Sequence, residues 1–573
     1  MTCYTTLVAG LAGSLVAASA SSGAASLPIR TVAVSGDVAP GTVASFTDFG
    51  VPRLNGHGEV AFSAYVTGEV GTSGMWTEGF NGLGGLELLV RQGQPAPTLN
   101  NAYFGEFNPI FYSPMINDNG TIGFSAELVG GGHDGTVVMR NTGGGSEVIA
   151  ATGLPAPGLG NITFSNVANL TSLNQNDEIA FGSSLAGGGV APENDSALFS
   201  DLGGAMGPVF REGDLTPGIL GGEFGSIGSS LPILTDNALF IRNFMRLGGE
   251  SDWSIWSFDN GGASNIALED TQTPILGTLY SGGMWGLIGV SANNAGQSSF
   301  PQDLTFNQSS YEGLWLDDNG TTEVAAFETG SAADGTSFWF IDGFSGKLNG
   351  AGTMLISGTL EHSGSVDGSN DSGILYRYPN GSKSFLAREG DQAPGLAPGV
   401  TFTHFHGTST ALNNNGAAVF VKGVVGPGID DTNNVGLWGT SPINGVQLLL
   451  REGDQIEIRP NDVRTIANFT LATGSGMESG RRAAFNDNNE IALRLTFDDN
   501  ENAIVVIKIP TGCRGDLNGD FFINFEDLNL VLGNWGATGT PGFLEGDADC
   551  DGDVDFDDLN IVLALWGTNC LPL

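Results

Sequence analysis

The sequence predicts a mainly β protein, with an eight-repeat β-propeller-like domain followed by a small α-helical module. Three observations lead there: a glycine-rich and charge-poor composition, a three-part motif that returns eight times, and an abrupt compositional shift after residue 512. Of 573 residues 90 are Gly, only 14% are charged and 40% are hydrophobic. That mixture suits short strands joined by many tight turns, and it is too apolar for a disordered chain. No Gly-X-Y period runs through it, which excludes a collagen-like rod. The length exceeds one ordinary compact domain, so the chain is multi-domain or a repeat array.

The first element is an apolar run from Leu7 to Ala20, followed by small-residue endings at Ala18-Ser19-Ala20 and Gly23-Ala24-Ala25. This pattern matches a secretory signal peptide, assigned to residues 1–25, and is too short and too small-residued for a membrane span. The first base is Arg30, so the usual positive start is missing, and the signal is atypical or begins upstream. A secreted, extracellular or cell-surface location is expected. The formal net charge of −42 repels phosphate backbones and anionic lipid, so neither nucleic acid nor a membrane is an expected partner.

The repeats come next, over residues 31–509. The pattern Asn-x-x-Gly-x-x-Ala-Phe begins at Asn55 (NGHGEVAF) and returns at Asn117, Asn174 and Asn413. Weaker copies start at Thr235, Asn293, Asn349 and Asn486. A second motif runs in phase with it, as RQGQPAPT from Arg91, REGDLTPG from Arg211 and REGDQAPG from Arg388, and decays near Asp270 and Glu328. A third element pairs an apolar residue with an aromatic one, as in Met75-Trp76, Leu198-Phe199, Ile255-Trp256, Leu314-Trp315 and Leu437-Trp438. Self-similarity at this period is the mark of a repeat architecture.

Each repeat is readable physically. Asn and Gly around a short gap, between alternating apolar residues, form a tight hairpin whose Gly takes positive φ. The Ala-Phe, Leu-Trp and Leu-Leu-Val segments supply three strands, and a Phe-x-x-Phe segment such as Phe46–Phe49 supplies the fourth. Four strands in about sixty residues describe a propeller blade. The array opens on a strand near Thr31 to Asp37 and ends on one near Asn502 to Ile509, and these two types are hairpin partners inside every internal repeat. Pairing them closes a ring and removes two exposed edges; an open superhelix is the other arrangement the repeats allow. The repeats resemble the bacterial choice-of-anchor tandem-repeat proteins that carry the NxxGxxAF motif. That resemblance implies a repeat protein and export, and brings no activity with it.

After a linker at residues 510–512 the composition becomes acidic. GDLNGDFFINFEDLNLVLGNWG from Gly515 is echoed by GDADCDGDVDFDDLNIVLALWG from Gly546. Oxygen ligands fall at positions 1, 3, 5, 9 and 12 of each loop, with a backbone carbonyl at position 7, as in an EF-hand calcium loop. The first set is Asp516, Asn518, Asp520, Asn524 and Asp527 with the Phe522 carbonyl. The second is Asp547, Asp549, Asp551, Asp555 and Asp558 with the Asp553 carbonyl. Two calcium ions are therefore the expected cofactors, and bound calcium is expected to supply much of the module's folding free energy. A helix with an i, i+3, i+4, i+7 apolar stripe follows each loop: Leu528, Val531, Leu532, Trp535, then Leu559, Val562, Leu563, Trp566.

Residues 513–573 resemble a type I dockerin. The resemblance implies a cohesin-type protein partner and the company of secreted polysaccharide-degrading enzymes. Two positions depart from that family. Loop position 6 is Phe521 instead of Gly in the first loop, which predicts a strained, weaker site. The recognition positions 10 and 11 are Phe525-Glu526 and Phe556-Asp557, so the cohesin type is unreadable. Once Cys3 is removed with the signal, Cys513, Cys550 and Cys570 remain, enough for one bridge. A Cys513–Cys570 clasp is one pairing; Cys550 with either partner is another.

Catalytic motifs are missing from the sequence: no His-Glu-x-x-His, no Gly-x-Ser-x-Gly and no phosphate loop. No catalytic residue is assigned. His404 and His406 would share a strand face, and Glu212, Asp214, Glu389 and Asp391 of the Arg-Glu-Gly-Asp copies read as repeated turns. Arg514-Gly515-Asp516 spells an adhesion tripeptide, but Asp516 is already spoken for as a calcium ligand. The expected function is a secreted calcium-binding protein whose β domain binds a glycan or protein or serves as a scaffold. A dockerin-tethered polysaccharide-degrading enzyme, or an adhesin or envelope protein, are the alternatives.

Overall fold

A computed structural model describes residues 28–67, 72–108, 113–227, 231–275, 277–281, 290–342, 346–405, 409–441, 445–473, 484–509, 515–518, 522–539, 544–548 and 552–568. The proposed signal peptide, the linker at 510–512, His406 and all four cysteines lie outside them. The protein is mainly β, and its strands fall into eight successive antiparallel units, hereafter blades 1 to 8.

Blade 1 shows the plan. Phe46–Phe49 pairs with Val60–Val66, that strand with Ser73–Thr77, and that with Glu87–Arg91, while the short Arg53–Leu54 also pairs with Val60–Val66. Blade 5 departs from it, splitting into a sheet containing Gln297–Pro301 and Gly313–Asp318 and a separate three-stranded sheet of Leu279–Ser281, Asp303–Phe306 and Ser309–Tyr311. This is one of the copies in which the motif is most degraded. Blade 8 is completed by the strand anticipated from the ends of the array: Ile29–Val34 pairs antiparallel with Asn502–Lys508, with Ile29 opposite Ile507 and Val34 opposite Ala503. The first described strand thus completes the last sheet, giving a propeller-like ring.

Aromatic residues of the third strand fill the blades. Trp76, Trp256, Trp315 and Trp438 are fully buried, each with its indole N–H satisfied. In Trp76 and Trp438 the acceptors are the carbonyls of Pro40 and Pro394, at 3.0 and 3.1 Å, so the Ala-Pro-Gly turn of the second motif caps the tryptophan of the third. The Gly two residues before Trp438 leaves room for the ring, since a Cβ on Gly436 would sit 2.5 Å from the indole. Phe402 and Phe420 pack around the same indole.

The second motif is a turn whose third residue donates its N–H to the first Phe of the next blade, as Gly213 does to Phe224 and Gly390 to Phe402. Glycine suits the position because φ is near +80°, for example 86° at Gly213 and 79° at Gly390. In the two degraded copies Asp270 and Thr329 take the same conformation, at φ 61° and 66°. A β-branched residue there is strained, at a cost of roughly 1–2 kcal/mol.

The Asn motif joins blades as well as holding its own turn. Asn55 Nδ2 donates to the Asn117 carbonyl (3.0 Å), Asn117 to Asn174 (2.9 Å), and Asn174 to Thr235 (3.0 Å). Further round, Asn293 donates to Asn349 (2.9 Å), Asn349 to Asn413 (3.0 Å), Asn413 to Asn486 (3.1 Å), and Asn486 back to Asn55 (3.0 Å). Thr235 stands where the eighth Asn would, and there Asp236 N–H donates to Asn294 Oδ1 at 2.9 Å while Asn294 Nδ2 returns to Asp236 Oδ2 at 2.7 Å. Each Asn Oδ1 also holds its own turn, as Asn55 does by accepting from His57 and Glu59 N–H. The circuit returns to its start after eight turns, which decides between the closed ring and the open superhelix.

Two nine-residue helices follow the ring, α1 (Phe525–Gly533) and α2 (Phe556–Ala564). Both begin on a reciprocal capping box, Asn524 with Asp527 and Asp555 with Asp558. Their shared core is small: Ile523, Val531, Val554 and Val562 are fully buried, with Leu528 and Leu559 packed against them. The anticipated stripes therefore divide. Leu532, Leu563, Trp535 and Trp566 are 41–53% exposed, because helices this short meet along only one residue row.

Candidate functional site

In each C-terminal loop the acids at positions 1 and 12 are the deeply buried ones. Asp516 and Asp547 are 4% and 2% exposed, and Asp527 and Asp558 are 0%. Local chemistry places them there: the position-12 acid is also the third residue of the helix, so the capping box turns its carboxylate back into the loop. Asp527 Oδ2 accepts from Asn524 N–H at 2.9 Å and Oδ1 from Leu517 N–H at 2.6 Å. Asp558 repeats this with Asp555 N–H at 2.7 Å and Ala548 N–H at 2.5 Å. One carboxylate oxygen each of Asp553, Asp555 and Asp558 lie within 4.8 Å of one another, so Asp553 offers its side chain as well as the carbonyl the spacing nominated.

The two halves clasp. Gly567 N–H donates to the Ile523 carbonyl and Gly536 N–H to the Val554 carbonyl, both at 2.8 Å. In the first loop Asn518 Nδ2 donates to Glu526 Oε2 at 3.1 Å and Asn524 caps α1, while Asp520, Phe521, Asp549 and Asp551 lie outside the described residues. Every donor in this set is oxygen and the buried ones are anionic, which fits a hard divalent cation such as calcium.

The ring holds a second concentration of unusual groups that the motifs do not flag. Where Ser73, Ser196 and Ser372 open the third strand of blades 1, 3 and 6, blade 5 has Glu312 just ahead of Gly313–Asp318. Burial, together with the charges of Asp303, Glu328 and Asp342, pushes Glu312 up to about 7, against the pull of the Ile341 N–H that donates to it at 2.9 Å. Burial likewise pushes Asp303 up to about 6, against the nearby Arg242 guanidinium, which lies 4.1 Å from the centroid of the Trp253 ring. Lys347 is pushed down to about 8 by burial, opposed by Asp342. Burial and like charges shift groups in this way at functional sites and in structural charge networks alike.

An acid raised in the folded state stabilises the fold at low pH. That contribution is complete below the ordinary carboxylate range and disappears as pH rises through about 7 for Glu312. Glu312→Gln, which mimics the protonated group, is expected to raise the ring's melting temperature by about 2 °C at pH 8 and to leave it unchanged at pH 4.5. Calorimetry at the two pH values checks this, and a fall at pH 8 would refute it.

The Arg-Glu-Gly-Asp copies are turns, as expected. Arg211 N–H donates to Asp214 Oδ2 at 2.7 Å, while its guanidinium goes to the carbonyl and side chain of Asn194. Burial raises Asp391 within its copy of the turn. Glu212 pairs with Arg246 at 3.0 Å. Glu389 instead meets His404, with Nδ1 3.2 Å from Oε2. Among the described residues no helix is long and apolar enough to cross a membrane.

A family model described as a family of unknown function (DUF7453) matches residues 5–238 and again 238–511. No curated protein matches the chain. Among solved structures, the β-propeller domain of the trilobed protease from Pyrococcus furiosus is 10% identical, with 72% of this chain and 100% of that one covered at a TM-score of 0.34. An acylaminoacyl peptidase from Pyrococcus horikoshii is 11% identical, covering 71% and 53% at 0.30. The polysaccharide lyase Uly1 is 10% identical, covering 69% and 89% at 0.32. At such loose overlap, the ring rests on its own strand pairing and Asn circuit.

Proposed function

We propose, starting from the fact that the chain belongs to the DUF7453 family of unknown function, that it is a secreted calcium-binding protein whose β ring is a binding or scaffold module. In this reading residues 513–573 are a dockerin-like tether that holds two calcium ions. The burial of Asp516, Asp527, Asp547 and Asp558 carries the reading. Four carboxylates withdrawn from water around so small a core are costly unless a cation joins them. Asp516, Asn518, Asp520, Asn524, Asp527 and the Phe522 carbonyl would hold one ion; Asp547, Asp549, Asp551, Asp555, Asp558 and Asp553 would hold the other.

The partner-facing surface follows from the divided stripes. Phe525 stacks edge-on against Trp566 at 4.9 Å, and Phe556 against Trp535 at 5.0 Å. These two exposed aromatic pairs are related by the duplication and suit a cohesin-type protein bound in either of two orientations. Equilibrium calcium titration of the stripped full-length protein tests the reading, with two ions per chain expected and none refuting it.

A second reading, an enzyme acting on polysaccharide, is favoured by Glu312, because a carboxyl poised near neutrality can serve as a general acid. Reducing-sugar release from a polysaccharide panel, lost in Glu312→Gln, would move the conclusion there.

A further inference from the structure

At one edge of blade 6, the end of a loop before Ser372–Arg377, the turn after Lys383–Arg388 and the segment after Thr401–Phe402 converge. They bring together Asp371, Glu389 and His404, whose carboxylate oxygens and ring nitrogen all lie within 4.8 Å of one another. His404 Nδ1 is 3.2 Å from Glu389 Oε2 and 3.5 Å from Asp371 Oδ1. Behind them His362 Nε2 lies 2.6 Å from the other oxygen of Asp371. Two of the chain's five histidines therefore meet two acids carried on separate segments.

The surroundings fix these groups. The Ser372 hydroxyl donates to Glu389 Oε2 at 2.7 Å and accepts the Phe405 N–H at 2.8 Å. The Lys422 ammonium donates to the His404 carbonyl and sits 4.7 Å from the Phe405 ring centroid. Blade 3 builds the same corner without an imidazole. Its Ser196 donates to Glu212 at 3.0 Å and accepts the Ile227 N–H at 3.1 Å, Ser226 stands at the His404 position, and Arg246 neutralises Glu212. One copy closes the corner with a guanidinium, and the other opens it to solvent with an imidazole 47% exposed.

We propose that Asp371, Glu389 and His404 form a binding site for a borderline divalent metal ion of the zinc class, with His362 orienting Asp371 from the second layer. Mixed imidazole and carboxylate donors suit zinc and its neighbours, whereas calcium takes oxygen alone. Three protein ligands leave one coordination position, open to solvent, for water or an oxygen-bearing anion. Ligating carboxylates are themselves held by hydrogen bonds from outer groups, the part His362 plays for Asp371.

The test uses the full chain, kept in excess calcium so that the C-terminal loops are filled. After dialysis against zinc at a few micromolar, elemental analysis should find one zinc per chain. His404→Ala and Glu389→Gln should each abolish it, His362→Ala should weaken binding about 10–100-fold, and Glu212→Gln in blade 3 should leave it unchanged. His404 is half exposed, and the amide introduced by Glu389→Gln would keep the Ser372 hydroxyl as partner, so the variants should fold; an unchanged circular dichroism spectrum verifies that. A chain that takes up no zinc, or a folded His404→Ala variant that keeps it, overturns the proposal and leaves an imidazole–carboxylate cluster.

Discussion

Removing calcium from the full-length protein is expected to unfold residues 515–568 while the β ring retains its own transition. The reasoning is energetic. Among the described residues, the fully buried apolar side chains Ile523, Val531, Ala548, Val554 and Val562 are too little apolar burial to offset the ordering of some fifty residues. In the same module Asp516, Asp527, Asp547 and Asp558 are 0–4% exposed, so without a cation their mutual repulsion and lost hydration oppose folding. Asp558→Ala should reproduce the effect of chelation on its half, because it removes a proposed ligand together with the N–H acceptor that shapes the loop. Asp547→Ala should be more damaging than Asp516→Ala, because the sequence puts Phe521, which lies outside the described residues, where an EF-hand loop calls for Gly. Helical ellipticity and limited proteolysis, followed with and without chelator, read the outcome. A single joint transition, or helices that survive chelation, would end this account, and equal effects of the two loop variants would remove the role given to Phe521.

Deleting residues up to Ser35 should be still more damaging, because it strips blade 8 of its closing strand. Ala503 to Ile507 are completely buried, with Ile29–Val34 along their outer edge. Loss of that strand exposes a long apolar edge, the template for aggregation. It also removes Arg30, which ties the seam to blade 1 through Glu78 at 2.7 Å and the Gly58 carbonyl at 2.6 Å. The truncated chain should be recovered as aggregates or oligomers. A gentler version targets the circuit. Asn486→Ala takes away bonds to the Asn55 carbonyl and to Glu490, and the acceptor for Asn488 and Glu490 N–H. Its cost should be about 4 kcal/mol, seen as a drop of roughly 4 °C in the ring's melting temperature. Asn488→Ala, which removes one exposed bond to the Gly56 carbonyl, should cost under about 1 kcal/mol. A monomeric, cooperatively melting truncation would show that the seam does not hold the ring.

Much of this architecture is legible in the sequence because its signals are local. Asn-Gly turns, Gly-x-Trp strands and capping acids act within a few residues, so their spacing reveals the strands and helices directly. What the motif asparagines do is not local: Asn413 donates to Asn486, 73 residues away, and no periodicity distinguishes a residue that closes its own turn from one that also joins two sheets. Glu312 is hidden for the same reason. Its substitution for a serine shows once the third strands are aligned on Gly-x-Trp, but its shift depends on Asp303, Glu328 and Asp342, gathered by the fold. The helical stripes divide because periodicity reports which residues share a face, not how much of that face a nine-residue partner covers. Glu389 is visible as a turn residue, and only tertiary packing sets it beside His404.

Closure by the first strand also has a temporal meaning. Ile29 and Ile507 are 478 positions apart, and at synthesis rates of about 5–20 residues per second their pairing must wait roughly 25–95 s. Until then every completed blade stacks on a wheel with an open gap, and the strand that will seal it has no partner. Such late, long-range pairing is slow to nucleate. The chain therefore stays threadable until its last blade emerges, and the wheel locks only once synthesis is all but complete.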